Sequence, residues 1–169
     1  VSAALRRIEL LPGLRAGSGE VDGTLWLKVD SFSLLLALAS LASRLADEYD
    51  IKLVELRLSP DRRAAPSSGL APEGGGRATT GGKHEVAGQR AHLDLVWTGP
   101  SMSTETVLNW EAEPMKIGPE SSPLSVRDVV QRHGGEFWFE RERVRQQTFF
   151  RFLLPLASAQ EPLDAAAFV

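Results

Sequence analysis

The residues of this chain with chemistry to offer are a Gly-Lys pair, three histidines, a run of acids and bases, and four tryptophans. Gly82-Lys83 lies in a glycine-rich stretch and invites comparison with a phosphate-binding loop, where backbone amides cradle the phosphates. That loop needs a glycine, four residues, then Gly-Lys followed by a hydroxyl residue. Here Arg77 stands at the first glycine and His84 at the hydroxyl position, so the stretch reads as a flexible linker. His84, His92 and His133 are too scattered for metal-ligand spacing. His133 ends an apolar helical face and is expected to pack there and complement the helix dipole. Glu136, Glu140, Arg141, Glu142, Arg143 and Arg145 form a charge run at a hairpin tip, read as a solvated turn. Trp97, Trp110, Trp138 and Phe149 have the flat faces that stack on a base, but packing in a core or interface is the expected role. Cysteine is absent, which removes disulfide, thiolate and zinc-finger chemistry and suits a reducing compartment.

At 169 residues and 43% hydrophobic content, the chain is long enough for one domain with a real core and too short for two. A net charge of −3 gives no field that would draw in nucleic acid or an anionic membrane. The apolar run around Leu34 to Leu38 is broken by Ser40, Ser43 and Arg44 before membrane-spanning length. The sequence begins at Val1, shows no signal segment and ends in Asp-Ala-Ala-Ala-Phe-Val, so it reads as a domain from a longer protein.

Residues 1–23 mix Leu5, Ile8, Leu10 and Leu11 with turn-forming Pro12, Gly13, Gly17, Gly19 and Gly23, which predicts one short strand and a loop. Alternation of Leu25, Leu27 and Val29 against Trp26 and Lys28 predicts a half-buried strand over Thr24–Val29. Asp30 can cap the next segment, where Leu34, Leu38, Leu41, Leu45 and Tyr49 recur at three- and four-residue steps over Ser31–Tyr49. This is the strongest helix signal. Asp50 ends it, and Lys52–Leu58 alternates as a second strand. Over 59–89 periodicity vanishes into Pro, Gly, Ser, Ala and Arg, which predicts a long mobile loop between two paired strands. Arg90–Trp97 resumes strand character, Gly99-Pro100-Ser101 turns, Ser103–Glu113 is a short helix capped by Ser103 or Thr104, and Pro114–Ser121 is loop. In the last segment Ser122 and Pro123 start a helix carrying Val126, Val129, Val130 and His133 on one face. Gly134 and Gly135 stop it, and Phe137–Phe139 and Thr148–Leu154 are the strands of a hairpin. Helices on one face of a mixed, mostly antiparallel sheet make an α/β fold, a two-layer α/β sandwich.

The segment Val126-Arg127-Asp128-Val129-Val130, Arg132-His133-Gly134-Gly135, Trp138, then Thr148-Phe149-Phe150-Arg151-Phe152-Leu153-Leu154-Pro155-Leu156 resembles the C-terminal third of the ATP-binding catalytic domain of sensor histidine kinases, in the GHKL (Bergerat) superfamily. The resemblance spans roughly Trp26 to Pro155 and implies that fold. In the family the first long helix carries two asparagines, the second a magnesium ligand; counted from Asp30, these fall on Ser40 and Arg44. A guanidinium cannot ligate a cation. The first glycine box, Asp-x-Gly-x-Gly, whose aspartate accepts from the adenine amino group, corresponds to Trp97-Thr98-Gly99-Pro100-Ser101. The second, Gly-x-Gly-Leu-Gly-Leu, corresponds to Gly118-Pro119-Glu120-Ser121-Ser122-Pro123, where Glu120 adds negative charge and Pro123 removes an amide.

The resemblance therefore implies a histidine-kinase-like domain over 1–157, with 59–89 as a flexible insert and 158–169 as a linker to a further domain. Its nucleotide site is lost, with Arg44, Trp97, Gly99 and Gly118 as the remnant positions, and neither a catalytic residue nor a metal ligand is expected. The implied function is that of a binding or regulatory module in a larger bacterial signalling protein, without a cofactor. Its partners would be neighbouring domains or a second copy, with no direct contact to nucleic acid or membrane and a cytoplasmic location. The alternative is a working catalytic domain of a two-component sensor kinase that transfers phosphate from ATP with magnesium to histidine. A further alternative is an accessory domain of an exonuclease-type parent.

Overall fold

The computed structural model describes residues 1–62 and 89–157. Ala4 and Ile8 lie one helical turn apart, and the first segment folds as helix α1 (Ser2–Glu9) with both residues buried. This corrects the expected short strand over the first residues: Ser2-Ala3-Ala4-Leu5-Arg6-Arg7 is rich in good helix formers, and the strand begins later. It is β1 (Arg15–Val21). Helix α2 (Ser31–Tyr49) starts where Asp30 accepts the Phe32 N–H at 3.2 Å and ends where Asp50 takes a left-handed conformation at φ 54°. Its Leu34, Leu38, Leu41 and Leu45 are buried, each worth about 1.5–3 kcal/mol relative to exposure. Then come β2 (Leu53–Pro60), β3 (Arg90–Thr98), α3 (Thr104–Ala112), β4 (Pro114–Ile117), β5 (Glu120–Ser125), α4 (Val126–Arg132), β6 (Glu136–Glu142) and β7 (Gln147–Pro155).

The main sheet has strand order β1-β2-β3-β7-β6, with β1 and β2 parallel and every other pairing antiparallel. A parallel pair needs a crossover, and α2 supplies it. The alternation in the strands sends Val54, Leu56 and Leu58, then Ala91, Leu93, Leu95 and Trp97, then Phe150, Phe152 and Leu154 to one buried side, in a single cluster with α2 and α4. The result is the expected two-layer α/β sandwich. The segment expected to loop between paired strands does join β2 to β3, which pair antiparallel, although Ser59 and Pro60 belong to β2. Residues 63–88 of the insert, with His84, lie outside the described residues, as does the linker at 158–169. Among the described residues no helix is long and apolar enough to cross a membrane.

Three local expectations are corrected. Thr24–Val29 is not a sheet strand. Asp22 accepts both the Thr24 N–H and hydroxyl, turning the chain, and among the described residues the backbone that follows pairs across only with the end of β7. Leu27 bridges to Leu156, Lys28 N–H donates to Pro155 O at 2.8 Å, and Ala157 N–H donates to Trp26 O at 2.8 Å. The predicted loop at Pro114–Ser121 is largely a hairpin of β4 and β5, turned by Gly118 at φ 57°. Helix α4 starts at Ser125 rather than at Ser122-Pro123, because Ser125 and Asp128 form a reciprocal capping box: Asp128 N–H donates to Ser125 Oγ at 3.1 Å, and Ser125 N–H to Asp128 Oδ2 at 2.9 Å. Pro123 sits instead in β5.

Candidate functional site

The positions that would make a nucleotide site come from α2, the end of β3 and the β4–β5 hairpin. Helix periodicity puts Ser40 and Arg44 one turn apart on the same side of α2, where Arg44 meets Glu113, just after α3, and Ser40 meets Lys116 in β4. Ser40 is buried, and its Oγ accepts the Lys116 N–H at 3.3 Å. The Arg44 guanidinium is paired with the Glu113 carboxylate and lies over the Trp110 ring, 5.4 Å from its centroid. Met115, between them in sequence, is buried. The two box positions of the helix are thus bonded to residues 113–116 of the same chain.

Trp97 occupies the last inward position of β3 and is 2% exposed. Its indole lies 5.0 Å from Phe150 and 6.1 Å from Phe139, centroid to centroid, so it reaches across β7 toward β6. Phe150 in turn is 6.1 Å from Trp110, which carries Arg44. Trp110 also receives Tyr49 edge-on at 5.8 Å. Packed aromatic rings therefore fill the space between Arg44 and Trp97. Trp97 Nε1 and Thr148 Oγ1, on residues opposite each other across β3 and β7, are buried with no hydrogen-bond partner among the described residues.

Gly99 follows the strand at φ 156°, where a Cβ would stand 3.0 Å from Ile51 Cδ1. A side chain there would push the end of Ile51 aside. Gly118 serves the hairpin turn, and a Cβ there would meet nothing within 4 Å. Glu120 of the same hairpin pairs with Arg7 of α1 at 3.3 Å, which ties the hairpin to the first helix. The structure thus places Arg44 and Trp97 in one packed array and Gly118 apart from it, on a turn.

His133 ends α4, and its ring nitrogens are both used. Nε2 accepts the Asp30 N–H at 2.8 Å, which leaves the proton on Nδ1 to donate to Val129 O at 2.8 Å. His92 stands edge-on to Trp138 at 6.0 Å and 3.6 Å from an Asp61 oxygen. Among the described residues no three His, Asp or Glu side chains are grouped to hold a metal.

Sequence reasoning missed Glu113, Ser40 as an acceptor and the β4–β5 hairpin, since contacts between separate segments leave no local periodicity. It also missed a charge cluster on the helix-free side of the sheet, where Asp94, 2% exposed, takes two bonds from Arg151 and has Arg57 3.6 Å away. Hydrogen bonding to Asp94 raises the affinity of Arg151 for its proton above the ordinary arginine value. The readable signal was there: Arg57, Asp94 and Arg151 each occupy the outward phase of their strand.

No protein-family model matches this chain, and no curated protein matches it. Solved structures do. The catalytic domain of histidine kinase ThkA, in one nucleotide-free form, is similar with a TM-score of 0.51 at 14% identity, over 92% of this chain and 91% of that one. A second nucleotide-free form gives 0.50 at 12% identity, over 91% and 92%. The Erythrobacter litoralis EL346 blue-light activated histidine kinase matches at 0.46 and 15% identity; 92% of this chain spans 42% of that one.

Proposed function

We propose that this chain, which has the fold of histidine-kinase catalytic domains, is a degenerate member acting as a binding and regulatory module of a larger bacterial signalling protein in the cytoplasm. One observation carries the reading. Ser40 and Arg44, at the positions of the family's two asparagines, are engaged by Lys116 and Glu113. A magnesium–nucleotide complex would have to displace both contacts, and the Arg44 guanidinium offers it no cation ligand. The aromatic packing of Trp97 supports the same conclusion for the base, and Glu120 for the phosphates. A module of this kind works through its surface, by binding a neighbouring domain or a second copy and shifting its populations. No cofactor is part of the proposal.

Magnesium-ATP at millimolar concentration, followed by calorimetry and thermal unfolding, tests this directly. We expect no saturable heat and no melting shift. A ligand at ten times its Kd would stabilise by about 1.4 kcal/mol, a shift of about 4 °C for a domain this size. A shift that requires magnesium would instead support the working sensor-kinase catalytic domain. One that is independent of magnesium and lost in Arg44→Ala would mark a nucleotide site using the guanidinium as phosphate partner.

A further inference from the structure

The β6–β7 turn carries a surface that the fold does not require. Arg143, Val144 and Arg145 lie in the turn, Arg141 stands just before it, and Gln146 closes it at φ 52° with its N–H donating to Arg143 O. Turns favour Gly, Asn, Asp, Ser or Pro. A β-branched apolar residue at the apex, 94% exposed, gains nothing from packing. The carboxylates nearby are already committed. Glu140 lies 3.4 Å from Arg151, and Glu142 lies 3.7 Å from Arg57 and 3.6 Å from Arg145. Arg141 and Arg143 are exposed and keep no carboxylate partner among the described residues. In a chain of net charge −3, this end of the sheet is locally positive.

Beside the turn is a shallow cleft of about 310 Å³ lined by Arg57, Glu140, Arg141, Glu142, Phe149 and Arg151. Its floor is the Phe149 ring, with the Arg57 and Arg151 guanidiniums 4.8 and 4.9 Å from the centroid. Those two cations are held in place by Asp94, Glu140 and Glu142, while Arg141 pairs across the hairpin with Thr148, in the opposite phase from Phe149. The guanidiniums of the cleft are thus balanced by Asp94, Glu140 and Glu142, and the unpaired positive charge lies at the turn, on Arg141 and Arg143 beside the apolar apex.

We infer that this hairpin tip is a docking surface for an acidic segment of a protein partner that also carries an apolar residue for Val144. Nucleic acid fits less well. Three arginines within five residues reach at most about 17 Å and would neutralise about three phosphates, far from the 6–10 contacts typical of phosphate-backbone binding. A phosphate backbone also has no apolar counterpart for Val144. The inference rests on the reading of the chain as a binding module and names the surface through which it binds.

The test uses the full chain and a fluorescent peptide of repeating Glu-Ala-Leu-Glu, followed by polarisation, with the Gln-Ala-Leu-Gln peptide and a short DNA duplex as controls. We expect saturable, salt-sensitive binding of the acidic peptide, weakened about tenfold in Arg141→Glu/Arg143→Glu. Val144→Ser should weaken it with no change in salt dependence. Because these side chains are exposed, unchanged melting confirms that each variant folds. Equal binding by the variants, equal binding of the glutamine peptide, tighter binding of the duplex, or no binding at all would overturn the docking surface. In the last case the tip arginines only keep an edge strand from self-pairing. Magnesium-ATP added to the same samples separates the two readings. A nucleotide-dependent melting shift sinks the module, whereas its absence with no peptide binding sinks only the surface.

Discussion

The imidazole of His133 accepts the backbone N–H of Asp30 at 2.8 Å, joining the C-terminus of α4 to the residue that caps α2. The two are 103 positions apart in the chain. The histidine was expected to pack and to complement a helix dipole, and its nitrogens show a more specific task. Replacing it with alanine removes the acceptor of one N–H and the donor to Val129 O. A loss of about 1 kcal/mol is expected, seen as a melting temperature a few degrees lower. Unchanged melting of His133→Ala would mean that water replaces both bonds at no cost.

The capping box of α4 has a pH signature. The Ser125 backbone N–H and hydroxyl hold the Asp128 carboxyl below its ordinary value. A depressed folded-state value means stability that is present above the unfolded value and lost as pH falls through the folded one. Asp128→Asn should therefore be less stable than the parent at neutral pH, with the gap closing below about pH 4. A gap that is constant down to pH 2 would show that the charge contributes nothing.

Gly134 and Gly135 are needed for different reasons. Gly134 has φ 62°, and the bonds Gly134 N–H to Gln131 O and Gly135 N–H to Val130 O close a Schellman cap. Gly135 instead lies against β7, where a Cβ would stand 2.4 Å from Leu153 O. Gly134→Val should cost about 1–2 kcal/mol through strain. Gly135→Val should cost more, because backbone has to move, and denaturant midpoints would rank the two. The reverse order would contradict this account.

Asp94 is the shared anion of the outer cluster. Removing it leaves Arg151 to Glu140 and Arg57 to Glu142, each a longer and more exposed contact than the one lost, with both guanidiniums still over Phe149. Breaking a buried pair from one side costs about 3–5 kcal/mol, and the partial exposure of Arg151 puts Asp94→Ala at the lower end. Asp94→Leu combined with Arg151→Met should recover most of that loss in urea unfolding. If the double variant is as unstable as the single, the cluster matters for more than its charge balance.

What the sequence by itself determined are the features encoded by local physics. The stripe of Leu34, Leu38, Leu41 and Leu45 defines α2, the alternation in β2, β3 and β7 defines which side each strand buries, and Gly134 stops α4. With the resemblance, these were enough for the sandwich. Local patterns failed where two valid signals competed. Pro123 is a good first helical residue, yet the reciprocal bonds of Ser125 with Asp128 start the helix later. Thr24–Val29 alternates like a strand, but a strand needs a partner along its length and this segment finds only the end of β7. Only the tertiary structure decided what Arg44 and Ser40 do, because their bonds to Glu113 and Lys116 span 69 and 76 positions, and side-chain pairing at that separation is set by how elements pack rather than by any repeat in the chain.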